Sequence, residues 1–331
     1  VKLTGKILLY LDYDLGTGLG HISRSRSFIE ALFSHQTEIY ICSKLNPKAH
    51  ENHFDFLKEV IWLNIEEAKL HHYLVIYVDT YDKESLEKLR YWHADFRVVL
   101  IDSNYSLEIP TWAEFIIDIE RTSPRNYNFE GEYLFGDLLT HSELELSRTK
   151  FRDKDNERVK TSSLAIAVNF GGSVKVLSYL QQLRHTFVAH EEVDFSIYCP
   201  MSLSQELKHY FLEHANVEVR TFTSKYLREL STHDLLITTT GTSFLEGLYI
   251  NIPMVIFSLF PNAESNFDKF RNHRQVLFSG TTHELESFSL ASTLEKFHAK
   301  NQLEKIESGT HLDLVTIGQI EIQSSLAKIL E

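Results

Sequence analysis

The chain has 331 residues, 43% of them hydrophobic and 24% charged, and its 33 basic and 46 acidic side chains leave a net charge of -13. That length favours two domains of roughly 150 residues over a single core, and only 6 prolines and 13 glycines leave little room for long linkers or disordered tails. An acidic chain without a Lys/Arg block excludes nucleic acid as a partner, although a small anion can still be gripped locally by backbone amides and helix ends.

Lys6–Tyr13 (KILLYLDY) is an unbroken apolar run that feeds a glycine loop, the pattern of a strand buried on both faces. Ile22–His35 follows as a helix with Ile22, Ile29, Leu32 and Phe33 on its apolar side. Further strands are predicted at Glu38–Cys42, Tyr73–Val78, Phe96–Ile101 and Phe115–Asp118. Helix-length crossovers between strands force a parallel sheet covered on both faces. The charged segment Arg148–Ser163 (RTKFRDKDNERVKTSS) then breaks the pattern and predicts a boundary, with domains at 1–155 and 156–331.

The second half restarts the same grammar. Leu164–Phe170 (LAIAVNF) reads as a strand running into Gly171-Gly172-Ser173, followed by a helix over Val174–Arg184. Strands are predicted at Phe195–Cys199, Val217–Thr221, Leu235–Thr239 and Met254–Leu259, and helices at Leu203–His214 and Ser243–Ile250. A last amphipathic helix is expected over Ile317–Leu330, crossing back onto the first domain. Cys42 and Cys199 lack metal-ligand spacing and read as buried free thiols of a reducing compartment. The most apolar stretch, Ile252–Phe260, is about half of what a membrane helix requires, and no signal-peptide pattern opens the sequence. A cytoplasmic protein without a transmembrane segment is expected, and peripheral membrane association remains compatible with it.

Three strand-to-helix junctions carry the chemistry. Gly16-Thr17-Gly18-Leu19-Gly20-His21 joins a buried strand to a helix, where glycines let the backbone approach an anion at the helix N-terminus. A dinucleotide fingerprint needs a glycine where His21 stands and an acidic residue where the second strand ends in Cys42-Ser43-Lys44; a P-loop needs a Gly-Lys-Ser/Thr that is missing. His21 either packs the first helical turn or, at the carboxyl end of a parallel strand, serves as a general base. Gly171, Gly172 and Ser173 form either a plain tight turn or a cradle for phosphate oxygens. At Gly241-Thr242-Ser243-Phe244-Leu245-Glu246, Ser243 and Glu246 form either a capping box or, through the Glu246 carboxylate, a ribose contact. The acidic pairs Asp12/Asp14 and Asp153/Asp155 read as loop structure or solvated charge rather than metal ligands. The His71-His72 pair reads as surface or packing residues.

These landmarks resemble a known family. Gly16-Thr17-Gly18 with His21 and Arg24 is similar to the GTGHxxR loop of the pseudaminic-acid-pathway UDP-sugar hydrolases and their spore-coat polysaccharide relatives. Val78-Asp79-Thr80-Tyr81, Leu100-Ile101-Asp102, Tyr133-Leu134-Phe135-Gly136, Asn169–Ser173, Gly241–Glu246, Pro253 and Asn262 resemble that family's later motifs in the same order. Ala263 stands where the family has Gln, Leu19-Gly20 is extra, and Leu245 replaces a Trp, as expected of a relative with another sugar or acceptor. The resemblance implies an α/β GT-B fold, two Rossmann-like parallel-sheet domains facing across a cleft. It also implies a nucleotide gripped mainly by the second domain, with the glycosyl group turned toward His21 and Tyr81 of the first. The expected catalytic residues are therefore His21 and Tyr81. The expected nucleotide and sugar ligands are Gly18, Gly20, Arg24, Gly171, Gly172, Ser173, Gly241, Thr242, Ser243, Glu246 and Asn262.

The expected chemistry is displacement of a nucleoside diphosphate, UDP by resemblance, from a nucleotide sugar in surface polysaccharide or glycoconjugate synthesis. The acceptor is a carbohydrate or glycoconjugate hydroxyl, and His21 takes its proton; no metal or other cofactor is required by that scheme. Two alternatives stand beside this glycosyltransferase. One is a UDP-sugar hydrolase of nonulosonic-acid synthesis with water as acceptor, and the other is a non-catalytic sugar-nucleotide binding protein.

Overall fold

The computed structural model describes residues 4–13, 20–33, 36–51, 54–102, 105, 107–119, 129–136, 138–139, 144–149, 151, 163–173, 175–259, 264–307 and 319–320. The chain divides into two units, Val1–Ser142 with Ile317–Glu331, and Glu143–Thr316. The boundary expected at 155/156 lies outside the described residues. Within the second unit, the Tyr249 hydroxyl bonds to Glu145, and the Arg148 guanidinium lies 4.6 Å from the Tyr249 ring centroid.

In the first unit, β1 (Thr4–Leu11), β2 (Gln36–Cys42), β3 (Ile61–Leu63), β4 (Tyr73–Asp79), β5 (Ala94–Ile101), β6 (Phe115–Ile119) and β7 (Glu132–Gly136) form one sheet. Its order is β3-β2-β1-β4-β5-β6-β7, with every pairing parallel. Ile7 to Leu11 of β1 are all buried, as the apolar run requires, and each such side chain stabilises the fold by roughly 1.5–3 kcal/mol. Ile7, Leu9 and Leu11 face the Gly20–Phe33 helix through Ile22, Phe28 and Ile29. Leu8 and Tyr10 lie in the opposite core with Leu86 and Leu89 of the Lys83–Leu89 helix. The crossovers that leave β1 and β4 therefore cover opposite faces, and the strand order reverses between those two strands.

The second unit repeats this plan. Its sheet holds β9 (Leu164–Asn169), β10 (Val193–Cys199), β11 (Val217–Thr221), β12 (Leu235–Thr239), β13 (Met254–Ser258) and β14 (Val276–Thr281), in the order β11-β10-β9-β12-β13-β14. All of its pairings are parallel. Ile166 and Val168 pack with Val176 and Leu180 of the Val176–Gln182 helix, while Leu236 and Met254 face the Thr242–Ile250 helix on the other side. Here the reversal falls between β9 and β12.

Several elements depart from the sequence expectation. The single helix predicted over Val174–Arg184 is two, Val176–Gln182 and Arg184–Ala189, separated by Leu183 at φ -78 and ψ -3. A two-stranded pairing joins β8 (Leu138–Leu139) to β15 (Gln319–Ile320). Most of the expected closing helix at 317–330 is outside the described residues, but Gln319 and Ile320 are extended because a partner strand claims their backbone groups. β3 and β14 carry no strong pattern: β3 has only three residues, with Ile61 left 46% exposed, and β14 pairs through an irregular register at Met254/Val255. Both thiols are buried and free, and burial pushes Cys42 up to about 12 and Cys199 up to about 11, which leaves them unreactive. No helix among the described residues is long and apolar enough to cross a membrane.

Gly247 fixes how closely the Thr242–Ile250 helix sits on its sheet. A Cβ there would meet Met254 Sδ at 2.8 Å and Leu236 Cδ2 at 3.0 Å, and both neighbours are fully buried. Gly247→Val should cost about 1–3 kcal/mol through overpacking, read as a lower denaturant midpoint with an unchanged slope. An unaltered midpoint would mean that the helix can lift without penalty.

Candidate functional site

In a doubly wound sheet, ligands bind beyond the carboxyl ends of the strands where the order reverses. Both reversals in this chain carry a buried polar cluster at that end. The two clusters differ in chemical character.

In the first unit, Gly20 opens the helix after β1 and places His21 in its first turn, 4% exposed. His21 Nδ1 lies 2.8 Å from Asp79 Oδ1, at the end of β4. Arg24, one turn further along the same helix, donates from Nε to Asp79 Oδ2 at 2.7 Å and from Nη2 to Asp79 Oδ1 at 2.9 Å. Its Nη1 reaches Asp102 Oδ2, beyond β5, at 2.5 Å. Tyr81 donates its hydroxyl hydrogen to the same Asp102 oxygen, accepts from Arg24 Nη2 at 3.2 Å, and meets the His21 ring edge-on with centroids 5.1 Å apart. Asp12, at the end of β1, ties down the β4 loop by accepting from Thr80 Oγ1 and from the Tyr81 N–H, both at 2.7 Å.

The charges set the protonation pattern. Burial opposes ionisation of Asp79, but the Arg24 guanidinium, then His21 and the hydrogen bonds from both, outweigh it and hold the carboxyl below its ordinary value. Arg24 Nη2 also lies 2.9 Å from His21 Nδ1. Nδ1 thus faces both a carboxylate and a guanidinium N–H; in the tautomer with the proton on Nδ1 the ring donates to Asp79 and keeps the Nε2 lone pair for a proton acceptor's role. Burial, with Asp102 and Asp79 against Arg24, raises the Tyr81 pKa well above its ordinary value. Tyr81 therefore stays a phenol and acts as a hydrogen-bond donor.

The second unit builds its cluster from neutral groups around Asn169, the fully buried last residue of β9. Asn169 Oδ1 accepts from the Gly171 N–H at 2.8 Å, which closes the turn, and Gly171 adopts φ +96, a backbone state that favours glycine. Asn169 Nδ2 donates to the Tyr226 hydroxyl at 2.6 Å and to Ser243 Oγ at 2.9 Å, and Thr238 Oγ1 donates to its carbonyl at 2.7 Å. Burial and then the charge of Glu246 raise the Tyr226 pKa far above its ordinary value. Glu246 is itself 7% exposed within the Thr242–Ile250 helix.

Of the expected site residues, His21, Arg24 and Tyr81 come together, with Gly20 opening their helix. Gly171, Ser243 and Glu246 come together through Asn169 and Tyr226, with Gly241 and Thr242 at the start of the same helix and Gly172 in the Asn169 loop. Ser173 accepts from the Lys175 N–H at 3.3 Å. Gly18 and Asn262 lie outside the described residues, as do Asp14, Asp153 and Asp155. The capping-box alternative for Ser243 and Glu246 is overturned: Gly241 is the N-cap, so the helix starts too early for Ser243 to cap it, and no side chain does. Sequence reasoning missed Asp79 as the His21 partner and Asn169 as an organiser, although each closes a buried strand beside its loop. Asp102 closed the landmark Leu100-Ile101-Asp102 without a role being read for it, and Tyr226 carried no local signal.

No family model matches the sequence, and no curated protein matches it. The fold is similar to that of the spinosyn rhamnosyltransferase complexed with thymidine diphosphate, with a TM-score of 0.60 and 12% identity over 98% of this chain and 99% of the other. It is similar to the calicheamicin glycosyltransferase, with a TM-score of 0.56 and 11% identity over 90% and 91% of the two chains. The Anabaena protein HepE in complex with UDP-glucose gives 0.53 and 12% identity over 98% and 99%. With its two parallel sheets of 7 and 6 strands, the chain has the GT-B fold. The likeness to UDP-sugar hydrolases rests on the sequence landmarks.

Asp79 also makes the cluster sensitive to acid. Its folded-state pKa lies below its ordinary value, so its charge contributes stability that is complete above the unfolded pKa and lost as pH falls through the folded one. Melting temperature should therefore fall less steeply between about pH 5 and pH 2 in Asp79→Asn than in the wild type. Parallel curves would remove Asp79 from the groups that drive acid unfolding.

Proposed function

We propose that this chain is a glycosyltransferase that displaces a nucleoside diphosphate, UDP by preference, from a nucleotide sugar in surface polysaccharide or glycoconjugate synthesis. The observation that carries this reading is the contact of His21 Nδ1 with Asp79 at the strand-order reversal of the first sheet. A carboxylate that fixes the tautomer and stabilises the imidazolium makes Nε2 a competent base, the logic by which hydrolytic triads raise the reactivity of a hydroxyl.

In this scheme the acceptor hydroxyl gives its proton to His21 Nε2 as its oxygen bonds to the anomeric carbon. The bond from that carbon to the phosphate oxygen breaks, and the nucleoside diphosphate leaves with the electron pair. Backbone N–H groups at Gly172 and Ser173 and at the Gly241–Ser243 helix entrance meet the charge that develops on the leaving group. Glu246 accepts from ribose hydroxyls. Asn169 and Tyr226 hold the two loops in register, and Tyr81 and Arg24 support the base. The thymidine diphosphate and UDP-glucose bound by two structurally similar proteins favour a pyrimidine nucleotide.

The second reading, a UDP-sugar hydrolase, is favoured by the sequence landmarks around His21, Tyr81 and Glu246. Incubation with UDP-sugars separates the two. Nucleoside diphosphate released only when an acceptor is added supports transfer, and stoichiometric free sugar without acceptor supports hydrolysis. Ligand binding with neither product would leave a sugar-nucleotide binding protein.

His21→Ala should lower turnover at least ~10²-fold while nucleotide binding persists; unchanged turnover would remove His21 from the chemistry. Glu246→Gln should weaken UDP binding roughly tenfold, the scale of a lost charge-assisted hydrogen bond of about 1.5 kcal/mol. UDP affinity equal to the wild type in isothermal titration would sink the ribose role.

A further inference from the structure

Arg24 makes more polar contacts than any other side chain of the first-unit cluster, and those contacts run to its own protein. Its guanidinium bridges Asp79 and Asp102, touches the Tyr81 hydroxyl, and is 9% exposed. Such a group has little capacity left for a phosphate. It sits 2.9 Å from the His21 Nδ1 that the proposed chemistry uses.

Each element around His21 brings its own charged or titratable groups. The helix of His21 contributes Arg24, and the end of β4 contributes Asp79 and Tyr81. Asp12, from the end of β1, spends its oxygens on Thr80 and the Tyr81 N–H. Asp102, from the end of β5, stands behind Arg24. With His21 neutral, Asp12, Asp79, Arg24 and Asp102 sum to two negative charges, and protonation of His21 reduces that to one. Without the Asp102 charge, the imidazolium loses one of the buried negative charges that favour it.

We infer that Asp102 and Arg24 are positioning residues that set the basicity of His21. Asp102 and Tyr81 anchor the guanidinium, Arg24 clamps the Asp79 carboxylate against Nδ1, and the charge of Asp102 lets the imidazole hold a proton. The inference deepens the reading of His21 as a general base, but its test needs no substrate.

The imidazole of His21 is followed by NMR across pH in the free protein, its signal identified by its loss in His21→Gln. Asp102→Asn should lower the His21 midpoint by at least about half a pH unit, a fraction of the ~1–3 units expected of a charge in direct contact. Asp102→Ser makes the same charge change with a smaller side chain and should shift the midpoint the same way, so a folding failure of one variant leaves the other informative. Arg24→Lys keeps a charge but loses the planar fork, and should abolish the downfield Nδ1–H resonance of the bond to Asp79. Midpoints equal to the wild type in the Asp102 variants, with only a lowered melting temperature, would reduce Asp102 to a structural role and overturn the inference. A persistent downfield resonance in Arg24→Lys would overturn the clamp. If the midpoint shifts but the wild-type protein turns over no nucleotide sugar, the charge arrangement stands and the transferase reading falls. Turnover without a shift would leave the transferase reading standing and overturn the role given to Asp102.

Discussion

Parallel strands whose crossovers leave toward opposite edges of a sheet part their covering helices onto opposite faces, and at that point the carboxyl ends are left uncovered. This chain meets the constraint twice, between β1 and β4 and between β9 and β12. The alternation of Ile7, Leu9 and Leu11 against Leu8 and Tyr10 shows the separation directly, since each set packs under a different helix. Every polar side chain assigned a role in either cluster lies on a strand end, on the loop that follows, or on a helix that starts there. The strands are rigid and buried, so they can hold charged and hydrogen-bonding groups in geometries that a surface loop would not keep.

The two reversals solve different electrostatic problems. At the first, carboxylates outnumber the single guanidinium, and a histidine completes the set. At the second, an amide, hydroxyls and backbone N–H groups do most of the organising, and Glu246 supplies the carboxylate that raises the Tyr226 pKa after burial. The amide and hydroxyl groups there are spent largely on one another and hold the two glycine-containing junctions together.

Much of this was legible in the chain. Buried parallel strands announce themselves as continuous apolar runs, and those at Lys6–Tyr13, Leu164–Phe170 and Leu235–Thr239 end beside the residues that matter. The glycine after Leu164–Phe170 marked a turn that ordinary side chains resist, as the φ of +96 at Gly171 bears out. The edge strands β3 and β14 were not legible, unlike the edge strand β11, because they derive their conformation from a neighbour and not from their own pattern. The Ser243/Glu246 spacing suggested a cap that the helix, starting at Thr242 behind Gly241, does not use. Local spacing cannot tell which residue of a glycine-led junction enters the helix first.

Sequence alone determined most of the buried strands, the repeated strand-and-helix grammar and the positions of His21, Tyr81, Gly171 and Glu246 at strand-to-helix junctions, since these follow from periodicity and from the turn chemistry of glycine. Only the tertiary structure decided the partners. Asp79 and Asp102 are 55 and 78 positions from Arg24, and Tyr226 is 57 from Asn169. Pairs so far apart meet because parallel strands bring distant carboxyl ends to one edge, and no local pattern encodes which charge will face which.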